Sequence, residues 1–384
     1  MQSNLDVAEP LEIDSPSTPA LLVLDKTGMG SQHPKSDYLF VSNVRFLAMF
    51  SIIWIHTAYF LGSAPSKSPA AYFQELTAQA MKFGTIGFFL ISGFLLGEGL
   101  TRTGRLKYFY RRVKAVFVPW LWWGGIWFVI AVFNHLQGSG AKSSMESSFQ
   151  SITQEYFKFV FTKSIYWFVP NFFICLAIVL SLYGRVPDLV QGTIFLALSL
   201  FYGANTYLGI ISSRHTGALF GFVFFLWLGS YAYRHCEALN RWLHRTSWTR
   251  LIAYTTVAAA LALVEFHLLS NGSSADPNNS LRISNQAFSV LMTLLIAKAR
   301  RTLLPSWIEV RTETFGLFLI HPILLELYYW GRQSIPEPVP AGISQHGFLL
   351  IVLGVSFFLS IYLASLLITK QIRRVNQLRW MVGR

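Results

Sequence analysis

The chain has 384 residues, of which 53% are hydrophobic and only 13% are charged. About a quarter of the residues in soluble domains are charged, so this composition excludes an ordinary soluble domain and indicates an integral membrane protein. The two cysteines, Cys175 and Cys236, have neither the spacing of a metal site nor that of a disulfide framework, so we expect no bound metal.

The first 40 residues are polar, with scattered prolines and serines and no apolar run long enough to cross a membrane. We predict that residues 1–40 form a disordered cytoplasmic tail without a cleavable signal peptide. Residues 41–370 are predicted to form one membrane domain, and residues 371–384 a basic cytoplasmic tail.

Apolar stretches along the rest of the chain predict an all-α, polytopic membrane fold with about ten transmembrane helices. The stretches are 42–62, 82–100, 113–133, 165–183, 188–203, 216–233, 250–270, 283–298, 313–330 and 347–369. When successive loops are assigned to alternate sides, 23 of the 31 lysines and arginines fall on one side. Positive residues concentrate in cytoplasmic loops, so both termini are predicted to be cytoplasmic and the protein to lie in the cell inner membrane. The lipid bilayer then accounts for the net charge of +13, and no nucleic-acid partner is needed.

Arg45 and His56 lie eleven residues apart in the first predicted span. Eleven residues are about three helical turns, which puts both side chains on one face and His56 ~16 Å further along the helix. A snorkelling arginine and a core histidine bonded to a backbone carbonyl are the ordinary interpretations. Because ionisable groups near the middle of a membrane are costly and usually functional, we favour a general base for His56.

Ser92 and Gly93 lie in the second predicted span, close to Gly84 and Gly87. Small residues in membrane helices ordinarily permit close packing of neighbouring helices. A substrate lying against Ser92 and Gly93 is the more specific interpretation, and both residues are therefore candidates for a substrate cavity.

Arg111, Arg112 and Lys114 lie at the start of the third predicted span. Arg111 and Lys114 are three residues apart and would share one face of an α-helix. Two cations on one face at the cytoplasmic boundary suit a phosphate-rich ligand such as the nucleotide part of coenzyme A. A plain positive membrane anchor is the simpler interpretation.

Two more cavity candidates lie later in the chain. Trp167, near one end of the fourth span, is typical of an interfacial aromatic belt, although an aromatic face also suits a carbohydrate. His321, in the ninth span, follows Arg311 by ten residues and is predicted at about the depth of His56, ~15 Å from the cytoplasmic side. The two histidines either line one cavity or are unrelated core residues, and the sequence leaves both interpretations open.

In four elements the chain resembles the acyltransferase 3 family of integral-membrane acyltransferases. These elements are the Arg45-to-His56 spacing, Phe89-Leu90-Ile91-Ser92-Gly93-Phe94, the Arg111-to-Pro119 stretch and Phe318-Leu319-Ile320-His321-Pro322. The resemblance covers roughly residues 38–370. The family often has a second arginine where this chain has Lys114, so here a point charge replaces a bidentate guanidinium.

The resemblance implies transfer of an acyl group, most often acetyl, from cytoplasmic acyl-CoA to a sugar hydroxyl. The acceptor would be a cell-surface polysaccharide, an exopolysaccharide or its lipid-linked precursor, and acyl-CoA would be a co-substrate rather than a permanently bound cofactor. His56 would act as the base or take the acyl group transiently, and Arg45 would act on the donor side. Arg111, Lys114 and Arg112 would bind the donor phosphates.

A proton-coupled transporter or flippase of a glycan or small molecule is the alternative, with His56 and His321 as a proton relay. Such a protein is expected to have inverted repeats and paired carboxylates, which the sequence does not show.

Overall fold

The computed structural model describes residues 38–60, 68–138, 153–154, 165–212, 214, 217–272, 274–333 and 347–383. Within these ranges the chain is helical and contains no strand. The α-helices are α1 Leu39–Phe60, α2 Pro69–Met81, α3 Phe83–Arg102, α4 Arg105–Arg112, α5 Val118–Gly138, α6 Phe168–Leu182, α7 Asp188–Leu208, α8 Val223–Arg234, α9 Cys236–Arg245, α10 Trp248–Asn271, α11 Ile283–Lys298, α12 Val310–Gln333 and α13 Gly347–Arg374. A π-helical turn, Val113–Phe117, joins α4 to α5, and 3₁₀ turns form at Ile165–Trp167 and Asn376–Val382.

The all-α fold predicted from the sequence is confirmed, since each of the predicted apolar stretches overlaps a described helix. The described residues contain seven helical segments long and apolar enough to cross a membrane. These are Leu39–Ala58, Pro69–Arg102, Arg105–Ile130, Ile165–Leu182, Asp188–Leu208, Trp248–Asn271 and Gly347–Arg374. Helices α8, α11 and α12 are not among them, so ten spans and the orientation of the termini stay predictions. The predicted disordered tail lies, up to residue 37, outside the described residues.

Helix α1 packs against α3, α11, α12 and α13, which places its apolar residues inside the bundle. Val44, Ala48, Met49 and Ile53 of α1 are fully buried. Val44 and Ala48, and likewise Met49 and Ile53, are four residues apart, the spacing that puts side chains on the same face of a helix. Arg45 and His56 of the same helix are partly buried.

Helices α3 and α8 approach each other so closely that only glycine fits between them. A Cβ atom on Gly93 would lie 2.0 Å from the Leu226 carbonyl oxygen, and one on Gly229 would lie 2.0 Å from the Leu90 carbonyl oxygen. Small residues of this kind allow backbone-to-backbone contact between membrane helices. The close contact fixes α3, and with it the side chain of Ser92, relative to α8.

The residues after α13 pack against the membrane domain. Val382 is fully buried, and the indole Nε1 of Trp123 in α5 donates to the Met381 carbonyl oxygen at 2.8 Å. A hydrogen bond from Arg379 Nε to the Arg373 carbonyl oxygen, at 2.8 Å, closes the turn after α13. Residues 376–383, hereafter the 376–383 segment, are therefore part of the folded bundle.

Candidate active site

Helices α1 and α12 bring the two predicted histidines into direct contact. The Nδ1 atom of His56 lies 3.1 Å from the Nε2 atom of His321, and the two rings are nearly parallel. His321 is fully buried, and its Nδ1 atom lies 2.8 Å from the Leu317 carbonyl oxygen, one turn earlier in α12. The sequence left open whether the histidines line one cavity or are unrelated core residues. The structure shows that they are in contact, and their role in a shared site stays a prediction.

The hydrogen bonds determine which ring nitrogen of each neutral histidine carries the proton. A carbonyl oxygen only accepts, so Nδ1 of His321 carries a hydrogen and donates it to Leu317. The Nε2 atom of neutral His321 is then an acceptor, and Nδ1 of His56 must donate to it. The remaining nitrogen of neutral His56, Nε2, therefore has the lone pair. This assignment makes His56 Nε2 the basic atom of the pair and His321 the residue that fixes its tautomer.

A cavity of about 1050 Å³, hereafter the wide cavity, lies at the end of the bundle formed by the start of α1, the end of α3, α4 and the start of α12. Six cationic side chains and two carboxylates line it. The cations are Arg45, Arg102, Arg111, Arg112, Lys114 and Arg311, and the carboxylates are Glu98 and Glu309. Glu98 is paired with Arg102 at 2.8 Å, and Glu309 with Arg373 at 3.1 Å. The net positive lining favours an anionic ligand.

All three predicted donor-binding cations line this wide cavity. Arg112 is held over the Tyr108 ring, 5.1 Å from its centroid, and its Nε donates to the Tyr108 hydroxyl at 2.9 Å. Arg111 and Lys114 both face this cavity, although Lys114 lies in the π-helical turn rather than in a continuous α-helix with Arg111. The extra residue in the turn re-aims the chain between these cations, a common use of π-helical turns at functional sites.

A second cavity of about 190 Å³, hereafter the narrow cavity, lies deeper in the bundle and is mostly apolar. It shares Arg45, Arg112 and Arg311 with the wide cavity, so the two cavities adjoin at these cations. At its deep end lie Ile52 of α1 and Phe318 of α12. Ile52 precedes His56 by four residues, and Phe318 precedes His321 by three, so each residue is about one helical turn from a histidine on the same face.

Arg45 lines both cavities, as does Arg311, the corresponding cation of α12. The distance along α1 from Arg45 to His56 is ~16 Å and that along α12 from Arg311 to His321 is ~15 Å, from the helical rise per residue. Helices α1 and α12 therefore have the same arrangement: each has an arginine near one end and a histidine about three turns further along. Sequence reasoning treated Arg311 only as a depth marker, although its spacing to His321 could have identified it.

The other cavity candidates are placed unequally. Ser92 lines the narrow cavity. Gly93 does not line either described cavity and instead lies in the contact with α8, so its place in a substrate cavity is wrong and the packing interpretation holds. Trp167 is only 8% exposed, and its ring packs against Phe222 at 5.5 Å between centroids. Among the described residues it belongs to a buried aromatic cluster, not to an exposed belt or to the wall of either cavity.

A further buried cation, Arg282, lies in the connection between the predicted spans 250–270 and 283–298, and the sequence analysis did not single it out. Arg282 is fully buried and donates to Gln79 Oε1 at 2.5 Å, to the Ala262 carbonyl oxygen at 2.8 Å and to the Asn279 carbonyl oxygen at 3.1 Å. These bonds join α2, α10 and the start of α11. Arg282 therefore has a structural role away from the histidine pair.

The described residues thus form an apolar helical bundle that contains two cation-lined cavities and a contact between two histidines, one of them fully buried. The chain belongs to the acyltransferase 3 family, whose acyltransferase-domain model matches residues 38–369. The resemblance seen in the four sequence elements is thereby confirmed, and the protein is a membrane acyltransferase. Among curated proteins and among solved structures, no significant match was found.

Proposed function

We propose that the protein is an O-acyltransferase that moves an acyl group, most simply acetyl, from acyl-CoA to a sugar hydroxyl. The acceptor class is a cell-surface polysaccharide, an exopolysaccharide or its lipid-linked precursor. The observation that carries the proposal is the arrangement of three features: the six cations of the wide cavity, the adjoining narrow apolar cavity, and the His56–His321 pair about one helical turn beyond Ile52 and Phe318.

The two cavities match the two chemical halves of acyl-CoA. Its nucleotide carries a diphosphate and a further phosphate, which suit a lining with a net positive charge. Its pantetheine arm and thioester are slender and largely uncharged, which suits the narrow cavity with its lining of Ile, Phe and Val side chains. Arg45 and Arg311, at the boundary between the cavities, would hold the diphosphate and leave the arm to extend toward the histidines.

In the proposed reaction the Nε2 atom of His56 accepts the proton of the acceptor hydroxyl. The hydroxyl oxygen attacks the thioester carbonyl carbon, a C–O bond forms, and the C–S bond breaks. The departing CoA thiolate takes up the proton from the His56 imidazolium, which restores the neutral base. Throughout the reaction the Nε2 atom of His321 accepts a hydrogen bond from His56 Nδ1–H. This hydrogen bond becomes stronger while His56 is positively charged.

The orientation that fits this reaction places the wide cavity on the cytoplasmic side of the cell inner membrane, where acyl-CoA is available. Both termini are then cytoplasmic, as the charge asymmetry of the loops also favours. The acceptor would reach the histidine pair from the other end of the bundle or from within the bilayer.

The test is transfer of radiolabelled acetyl from acetyl-CoA to the polysaccharide fraction of membrane vesicles that contain the protein. We expect His56→Ala to lower the rate by roughly 10²- to 10⁴-fold, the usual contribution of a general base. His244→Ala is the matched control, because His244 is exposed on α9 and outside both cavities. A His56→Ala protein that inserts, folds and still acylates the glycan at the wild-type rate would refute the assignment.

Binding of acetyl-CoA to the purified protein separates this proposal from the transporter alternative. A proton-coupled transporter has no need of an acyl donor, although its histidines could touch in the same way. Family membership favours the acyltransferase.

A further inference from the structure

The 376–383 segment lies beyond residue 369, where the match to the family model ends. It nevertheless contributes to both cavities of the candidate site. Trp380 lines the wide cavity together with Arg111, Lys114 and Arg311. Val382 and Gly383 line the narrow cavity. Residues outside the matched range therefore contribute to the lining of both cavities.

The segment is held in place at several points along its length. Besides the bond from Trp123 to Met381, the Trp380 ring packs edge-on against Trp122, with 5.7 Å between ring centroids. Gly383 has a φ of +81°, in the left-handed region, and a Cβ there would lie 2.7 Å from a ring carbon of Phe315. The close approach of Gly383 to α12 shows that the segment is seated against the walls of the path and is not a loose end.

Four aromatic side chains line the wide cavity: Tyr38, Tyr108, Tyr110 and Trp380. Tyr38 is buried, and its ring packs edge-on against Phe94. Tyr108 is buried, and its ring is already covered by the guanidinium of Arg112. Tyr110 is 68% exposed on the short helix α4. Trp380 has the largest ring of the four, is partly buried, and is held by its contact with Trp122. It is thus the preorganised aromatic surface among the described residues of this cationic cavity.

We propose that Trp380 stacks on the adenine ring of the acyl-CoA donor and is a positioning and specificity residue for its nucleotide half. The inference rests on the proposed function, because it assumes that acyl-CoA occupies the wide cavity. Aromatic side chains beside a cationic groove bind nucleotide bases by stacking, while the cations bind the phosphates. The 376–383 segment then orients the nucleotide so that the pantetheine arm enters the narrow cavity.

The test is titration of the purified full-length protein with three probes: acetyl-CoA, adenosine 3′,5′-bisphosphate, and S-acetylpantetheine in competition with acetyl-CoA. We expect Trp380→Ala to weaken the binding of acetyl-CoA and of adenosine 3′,5′-bisphosphate by the same factor, roughly tenfold. Competition by S-acetylpantetheine, which has no nucleotide, should be unchanged. Trp380→Phe should recover most of the affinity because it keeps an aromatic face.

Trp307→Ala is the matched control, since Trp307 is an exposed tryptophan that lines neither described cavity. Its variant should bind all three probes as the wild type does. Unchanged acetyl-CoA binding by Trp380→Ala would refute the stacking role and leave the proposed function standing. So would an equal loss for acetyl-CoA and S-acetylpantetheine, because that loss shows a general distortion of the site. A wild-type protein that binds none of the probes would refute the proposed function itself.

Discussion

Replacement of His321 is the sharpest test of the hydrogen-bond chain at the site. In the proposed reaction His56 becomes positively charged when it accepts the hydroxyl proton, and its Nδ1–H then donates to His321 Nε2 across 3.1 Å. Hydrogen bonds to charged groups contribute about 1.5–3 kcal/mol. Loss of this bond only in the charged state corresponds to a roughly 10- to 150-fold lower kcat. We therefore expect His321→Ala to lower kcat by this factor with little change in the donor KM.

His321→Gln is the matched variant, because the glutamine side-chain oxygen can accept from His56 Nδ1 near the position of the original Nε2 atom. The kcat of His321→Gln should be about tenfold higher than that of His321→Ala, because glutamine restores the hydrogen-bond acceptor. The assay is transfer of radiolabelled acetyl with varied acetyl-CoA, and thermal unfolding verifies that each variant is folded. If folded His321→Ala kept the wild-type kcat, or raised only the donor KM, the assignment of His321 as the partner of a catalytic base would be wrong.

Three further predictions concern residues away from the histidine contact. Arg45→Gln should raise the acetyl-CoA KM by roughly tenfold or more, with a smaller effect on kcat, because a charged contact to the donor is lost. Titration with acetyl-CoA measures this loss of affinity, and an unchanged affinity would show that Arg45 does not bind the donor. Gly93→Val should prevent assembly of α3 against α8, seen as loss of the monodisperse protein in size-exclusion chromatography, whereas Ser92→Ala should assemble normally. Arg282→Ala should lower the free energy of unfolding by about 3–5 kcal/mol, because it leaves Gln79 and two carbonyl oxygens without their donor; a thermal midpoint equal to that of the wild type would contradict this role.

The helical fold and the candidate residues on its helices could be predicted because a membrane helix is determined by the apolar residues of one continuous stretch of sequence. An apolar run of bilayer length has few alternatives to a helix, and the constant rise of a helix converts residue spacing into depth. That conversion placed His56 and His321 at one level. It could not place them in contact, because the adjacency of α1 and α12 depends on how the whole bundle packs.

Arg282 and Gly93 show two other limits of the sequence. Arg282 looks like a loop cation, since its polar neighbours in the chain resemble any exposed connection, and its acceptor Gln79 is 203 residues away. Gly93 lies in a motif that suits either a substrate or a neighbouring helix, and only the position of Leu226 in α8 distinguishes the two. The 376–383 segment lies within the predicted basic tail 371–384. Its charges can be read from the local sequence, whereas the hydrogen bond from Trp123 to Met381 joins residues that are far apart in the chain.

The hydrogen bond between His56 and His321 joins residues that are 265 positions apart in the chain. In the proposed mechanism neither the tautomer of His56 nor the stabilisation of its charged form exists until α12 has been made and has packed beside α1. A partly synthesised or misassembled chain would hold His56 without the partner that makes it an effective base. Under the proposed function, the protein would therefore become able to consume acyl-CoA only after the helices that hold both histidines have assembled.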